Sequence, residues 1–270
     1  MNRLLTIDGH NYLYRSYFGI PSTAKLKNGL QVNAFYGFFS LLRKAYQYVK
    51  PSEIIVVFDS ENGVQGKLLK SENYKQNRDY SNTGMFKQLP IIKEALEYIG
   101  IPYIENPDYE GDDVIGSIAK KESKVSDVYI SSQDNDFLQL IDENIFVLSD
   151  KKGKVITYTK EYFEKIWGIE SYLYLNYLSL KGDPSDNILG VKGIGKKTAL
   201  KLVEQYKLLE NILQKSDNKY LKGNEELVKK NKEFLRINCD LNLKYELKEF
   251  DNDKILQNSS EILRILKYTN

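Results

Sequence analysis

Apolar residues change their spacing along this chain, and the changes mark its elements. Through the first half, short apolar runs alternate with stretches of helical period. Leu4–Ile7 is a β-type run that ends in Asp8. From Asn33 to Val49, Phe35, Phe38, Phe39, Leu42 and Tyr46 fall on one side of a helix. Ile54–Phe58 (IIVVF) is a continuous run of the kind found in a strand buried on both faces, and it ends in Asp59. A helix over Ile91–Ile99, a short strand near Tyr103–Ile104 and a helix over Asp112–Lys121 come next. A strand over Asp127–Ser131, an acidic turn and a short helix from Asp136 complete the series. Such alternation predicts βαβ units, a parallel sheet and right-handed crossovers.

Two regions break the rhythm. Ser60 to Met85 is polar, lacks an apolar period and carries Lys67, Lys70, Lys75 and Arg78. A stretch that long inside a compact domain is either functional or disordered. From Lys181 the strands stop, and the remainder is expected to be helical. These shifts predict an α/β core over residues 1–180 and a helical subdomain over residues 181–270.

Composition narrows the chemistry. The 270 residues hold one histidine (His10), one cysteine (Cys239) and one tryptophan (Trp167). A zinc site of cysteines or of three histidines is therefore excluded, as is a disulfide within the chain. Any metal must be held by carboxylates, which suit Mg²⁺ or Mn²⁺. The net charge of +2, from 39 Lys+Arg against 37 Asp+Glu, does not by itself mark a nucleic-acid binder. No apolar run has the length of a membrane span and the N-terminus lacks a signal-peptide pattern, so a cytoplasmic protein without membrane contact is expected. No heptad or strong apolar face points to obligate assembly, so a monomer is expected.

Asp8 and Asp59 each end a predicted parallel strand, and Asp134 lies just beyond another. In an open α/β sheet that edge is where ligands bind. Glu110, Asp112 and Asp113 lead into a helix, Asp134 and Asp136 form a DxD, and Asp183 and Asp186 form a DxxD in a Gly/Pro turn. Taken singly, each has an ordinary structural explanation: a helix cap, a charge set against the helix dipole, or a turn residue. Taken together, nine carboxylates at one edge could not all stay ionised without cations. Two divalent ions roughly 4 Å apart would suit phosphoryl chemistry.

Gly190-Val-Lys-Gly-Ile-Gly-Lys-Lys-Thr198 has part of a phosphate-binding P-loop, but Lys197 stands where the metal-binding Ser or Thr belongs and no strand precedes it. A helix–hairpin–helix fits better: a helix over about Tyr172–Leu180, a turn at Gly193-Ile194-Gly195 and a helix from Lys196 through Tyr206. Backbone N–H groups at such a turn can hold a DNA phosphate, with Lys192, Lys196, Lys197 and Lys201 adding charge and Thr198 in the first turn.

The segments LLTIDGHNYLYRSYF, VVFDS, ENYKQNRD, PDYEGDDVIGSIA, SSQDNDFLQL and GDPSDNILGVKGIGKKTALKL resemble, in order and spacing, the motifs of bacterial and phage 5′→3′ exonucleases. These belong to the flap endonuclease superfamily, which includes the N-terminal nuclease domain of bacterial DNA polymerase I. The resemblance implies a PIN-like parallel-sheet α/β core, a helical arch over about residues 60–85 and a helix–three-turn–helix DNA-binding subdomain. It implies that Asp8, Asp59, Glu110 and Asp112 form one metal cluster, and Asp134, Asp136, Asp183 and Asp186 a second. Asp113 matches a further acid of the motif. Lys75 and Arg78 match the arch cations that meet the scissile phosphate, with the aromatic Tyr74 before them. The Gly193–Gly195 turn matches a hairpin that in the family also holds K⁺. Gly66-Lys67 stands where the family carries Phe-Arg, so that Lys67 offers phosphate a point charge rather than a bidentate fork. The expected activity is that of a stand-alone 5′→3′ exonuclease and 5′-flap endonuclease with two Mg²⁺ or Mn²⁺ ions, acting on DNA with a free 5′ end and on RNA–DNA hybrids, in replication or repair. Its rivals are a PIN-type ribonuclease and an inactive DNA-binding homologue.

Overall fold

Neighbouring residues of the first two strands point to opposite sides of one sheet, and both sides are covered. The computed structural model describes residues 2–26, 28–60, 83–151 and 153–268. Lys67, Tyr74, Lys75 and Arg78 lie outside these residues. Strand β1 (Asn2–Asp8) pairs in parallel with β2 (Glu53–Asp59) on one side and β4 (Ser126–Ser131) on the other. β3 (Tyr103–Asn106) extends the sheet beyond β2, and β5 (Ile145–Lys151) extends it beyond β4. Leu4, Ile55, Val57, Val128 and Ile130 enter one core. Leu5, Ile7, Ile54, Val56 and Phe58 enter the other. A strand buried on both faces must be apolar at every position, which accounts for the unbroken IIVVF run.

Helices α1 (Gly9–Gly19), α2 (Asn33–Val49) and α3 (Leu89–Ile99) cover the second core. Helix α4 (Gly111–Glu122) buries Val114, Ile115 and Ile118 in the first. That first core runs on without a break into α5 (Lys160–Trp167), α6 (Tyr174–Lys181), α7 (Lys196–Tyr206), α8 (Leu209–Lys215) and α9 (Glu225–Leu235). Among the described residues no helix is long and apolar enough to cross a membrane.

The five strands β1 to β5 pair in parallel as expected, and β6 (Lys154–Tyr158) adds an antiparallel edge beside β5 past Gly153, whose φ of +80° suits the tight turn. Two expectations about the rest of the chain need correction. Strands persist after Lys181, as the two-residue pair β7 (Gly182–Asp183) and β8 (Ile188–Leu189). Finally, residues 236–250 are extended rather than helical. Ile237, Cys239, Leu241, Leu243, Tyr245 and Leu247 alternate with exposed residues and pack on the first core. That period of two forbids a helix with one buried face. This strap carries the chain back to α10 (Asn252–Leu256) and α11 (Ser259–Ile265), whose Ile255, Ile262 and Leu263 enter the core beneath α2.

Candidate active site

Sheet order places the acids. The chain runs β1, β2, β3 toward one edge and then returns to lay β4 on the other side of β1. The crevice of such a sheet opens where the order reverses, at the carboxyl ends of β1 and β4. Asp8 ends β1, Asp59 ends the adjacent β2, and Asp134 lies three residues past the end of β4.

Each carboxylate is held by the backbone that follows it. Asp8 caps α1, its Oδ1 accepting from the Asn11 N–H at 2.9 Å, while its Oδ2 accepts from the Ser132 hydroxyl at 2.7 Å. The same Ser132 oxygen accepts from the Asp134 N–H at 3.0 Å, so one hydroxyl ties the ends of β1 and β4 together. Asp134 Oδ1 in turn accepts from the Asp136 N–H at 2.9 Å. Asp59 Oδ1 accepts from the Gly111 N–H at 2.7 Å, which brings the start of α4, with Glu110 and Asp112, to the end of β2. Glu110 is buried. His10 Nδ1 accepts from the Asp59 N–H at 2.9 Å, a structural bond that ties the start of α1 to the end of β2.

The second group of acids faces a cleft of about 330 Å³. Asp134, Asp136 and Asp183 line it with Trp167, Tyr174 and Lys181. Asp183 Oδ1 accepts from both the backbone N–H and the hydroxyl of Ser185, at 2.8 and 2.6 Å, and Asp186 is buried one turn on. Burial, reinforced by the charges of Asp136, Asp183 and Asp134, pushes the Tyr174 hydroxyl far above its ordinary range, so it stays a neutral donor there. Among the described residues no three His, Cys, Asp or Glu side chains close around a single point.

Asp113 also bonds to a segment outside this gathering. Its Oδ1 accepts from the Asn238 N–H of the strap at 2.8 Å. Sequence reasoning grouped it with the other acids, but one residue along a helix is a turn of about 100°, so Asp112 and Asp113 face different neighbours.

The hairpin is formed as its glycines require. Gly193 has φ +92°, and a Cβ there would lie 2.7 Å from the Tyr220 ring. Ile194 N–H donates to the Val191 carbonyl at 2.9 Å, and Gly195 precedes α7 without a side-chain cap. Lys192, Lys196, Lys197 and Lys201 are exposed around it, and Thr198 is half-buried. The Lys196 ammonium lies 4.3 Å from the centre of the Trp167 ring, joining the hairpin to the wall of the acidic cleft. Sequence reasoning missed Ser132, Trp167, Tyr174 and Tyr220; only the SSQDND context of Ser132 carried a local signal.

The acids tolerate one another only in part. Burial, together with the nearby charges of Asp59 and Asp134, pushes the Asp8 carboxyl up to about 7, against the opposing bonds from Asn11 and Ser132. A half-buried carboxyl raised by desolvation and by two neighbouring carboxylates is a crowding of negative charge that a divalent cation would relieve. The raised value means the folded chain retains a proton the unfolded chain releases. Stability from this group is thus complete below about 3.8 and lost as pH rises through about 7. In EDTA, Asp8→Asn is expected to match wild type near pH 4. At pH 8 it should be more stable by about 1–2 kcal/mol, a discounted share of the shift because the residue is only half-buried. Urea denaturation of both proteins across that range checks this, and identical pH profiles would refute it.

Comparisons with known proteins agree with this architecture. The N-terminal resolvase-like domain of 5′-3′ exonucleases matches residues 3–168, and the C-terminal SAM fold of 5′-3′ exonucleases matches residues 169–258. A 5′-3′ exonuclease of Aquifex aeolicus is 36% identical over 266 residues, which is 98% of this chain and 87% of that protein. DNA polymerase I of Caldicellulosiruptor bescii is 36% identical over 258 residues; the match takes in 92% of this chain but 30% of the polymerase. The bacteriophage T5 flap endonuclease, in a complex with DNA and metal ions, shares the fold with a TM-score of 0.71 at 20% identity, covering 98% of this chain and all of that one. On the profile matches and the Aquifex relative together, the chain belongs to the 5′-3′ exonuclease family.

Proposed function

We propose that this protein hydrolyses phosphodiester bonds of DNA near a free 5′ end, as a 5′→3′ exonuclease and 5′-flap endonuclease. The observation that carries the reading is the proximity of Asp8 and Asp59, at the ends of β1 and β2, to Asp134 just beyond β4, beside the cleft of Asp136 and Asp183. The T5 flap endonuclease of the same fold, seen with DNA and metal ions, supports it.

Asp8, Asp59, Glu110 and Asp112 would hold one divalent cation, Mg²⁺ or Mn²⁺, and Asp134, Asp136, Asp183 and Asp186 a second. When bound, the ions supply Lewis acidity for a water nucleophile and neutralise charge on the attacking and leaving oxygens. An open carboxylate cleft suits them, because Mg²⁺ keeps waters and substrate oxygens in its shell rather than filling an all-protein cage. The chain's own residues would do the rest. Ser132 holds Asp8 and Asp134 at a fixed spacing; Gly111 N–H and His10 orient Asp59. Exposed Lys192, Lys196 and Lys197 and the N–H groups of Gly193, Gly195 and Thr198 would grip duplex phosphates, with K⁺ a candidate at the same turn. Lys75 and Arg78 would meet the scissile phosphate, and Tyr74 and Lys67 would add contacts to the DNA. RNA–DNA hybrids are included among the substrates, and the working unit is taken as a cytoplasmic monomer.

Product mapping on a 5′-labelled flap duplex tests this, with single-stranded RNA alongside. Cleavage at the flap junction in Mg²⁺ or Mn²⁺, with the RNA left intact, is expected. An intact flap in both metals would overturn the reading, and cleavage of the RNA alone would transfer it to a PIN-type ribonuclease.

A further inference from the structure

Each group of acids has one member on an element that a single extended segment bonds to, Asp112 on α4 and Asp136 on the turn Asn135–Leu140. From the end of α9, the strap passes the side chain of Gln139, whose Nε2 donates to the Leu235 carbonyl at 2.9 Å and whose Oε1 accepts from the Ile237 N–H at 3.1 Å. It then meets α4. Asp113 Oδ1 accepts from the Asn238 N–H at 2.8 Å. The Ser117 hydroxyl donates to the Asn238 carbonyl at 3.1 Å and accepts from the Leu241 N–H at 3.2 Å. Farther on, the Tyr245 hydroxyl donates to Glu122, and Lys121 lies 4.4 Å from the Tyr245 ring centre.

Asp113, Gly116 and Ser117 share one stripe of the helix at i, i+3 and i+4. Gly116 keeps that stripe flush: a Cβ there would lie 2.5 Å from Ile237 Cγ2 and 3.2 Å from Cys239 Sγ. Among the described residues the strap pairs with no strand, so these side chains supply partners for its polar backbone groups. The strap also starts from the helix that supports the hairpin. Buried Asn231 of α9 donates to the Ser179 carbonyl of α6 at 3.1 Å and to the Leu189 carbonyl of β8 at 2.8 Å.

We propose that Asp113 is a positioning residue, not a metal ligand: with Ser117 and Gln139 it locks the strap across α4 and the Asn135–Leu140 turn, and so sets the spacing of the two carboxylate groups. The inference rests on the metal-nuclease reading above. Its discriminating chemistry is simple. An amide oxygen accepts a backbone N–H as a carboxylate oxygen does, whereas it is a much poorer ligand for a hard divalent cation.

The experiment measures cleavage of the 5′-labelled flap by the full chain against Mg²⁺ concentration, with amide hydrogen exchange of the strap. Asp113→Asn should keep the Mg²⁺ midpoint and a rate within about threefold of wild type. Asp113→Leu should lower kcat about 10–100-fold with KM for the flap unchanged, the size of loss typical of a residue that orients ligands. It should also speed exchange at Asn238 and Leu241. Should Asp113→Leu not fold, Ser117→Ala removes two of the same bonds and should shift rate and exchange in the same directions. A tenfold rise in the Mg²⁺ midpoint for Asp113→Asn would make Asp113 a ligand and overturn the proposal. Wild-type rate and exchange in the Leu and Ala variants would overturn it alone, whereas an inactive wild type would overturn the nuclease reading and this proposal with it.

Discussion

Asp134→Asn is expected to abolish flap cleavage, by about 10³-fold or more, while leaving duplex binding and folding intact. Asp134 serves the fold through its Oδ1, which accepts from the Asp136 N–H, and through its own N–H on Ser132. Asparagine keeps both bonds, so the turn that presents Asp136 survives. What it removes is one negative charge from the wall shared by the two acid groups, and with it much of the affinity for a divalent cation. The same loss relieves Asp8, whose carboxyl is held up in part by the charge of Asp134. The variant should therefore be inactive yet no less stable than wild type in EDTA at pH 8. Single-turnover cleavage, fluorescence binding to a duplex and thermal melting together check the prediction. A variant that cleaves at the wild-type rate would remove Asp134 from the site.

Gly190→Ala is expected to cost about 3 kcal/mol or more in stability. For a chain of this size that is roughly 6–12 °C in Tm. A methyl group at Gly190 would lie 1.9 Å from the Lys181 carbonyl oxygen and 2.2 Å from its carbon. These are backbone atoms and cannot swing aside. Across the pair, Gly182 has φ +75° and leaves no room either, its Cβ position being 2.2 Å from the Gly190 nitrogen. Two backbones therefore touch here, and the contact closes the β7–β8 pair that carries Asp183 toward the cleft. Opening it would displace Asp183 as well as unfold the turn, so cleavage should fall along with Tm. Melting and cleavage of the variant test this, and wild-type values in both would refute it.

How much of this was legible in the sequence follows from the range of the forces involved. The runs at Leu4–Ile7, Ile54–Phe58 and Asp127–Ser131 emerged as β1, β2 and β4, and the helical period over Asn33–Val49 as α2 with the same bounds. The helix Lys196–Tyr206 likewise followed from a glycine turn and an apolar period. Helix α1 was not read, because of its buried positions Gly9, Tyr12, Leu13 and Ser16, spaced i, i+3, i+4 and i+7, only Tyr12 and Leu13 are apolar. The alternation of Ile237 to Leu247 was present but went unused, since a period of two signals a strand and this segment pairs with a helix instead.

Sequence alone determined the chemical kind of the site: acids at strand ends, without the histidines or cysteines for zinc, and lysines around a glycine hairpin. Those features are local, fixed by residue identity and by the end of each apolar run. Tertiary structure alone decided which acids meet. Laying β4 beside β1 let one hydroxyl, Ser132, join Asp8 to Asp134. The pitch of α4 then turned Asp113 away from Asp112 and toward the strap. Both outcomes depend on contacts between residues more than a hundred positions apart, across which no local pattern carries information, because only packing brings such groups within hydrogen-bond reach.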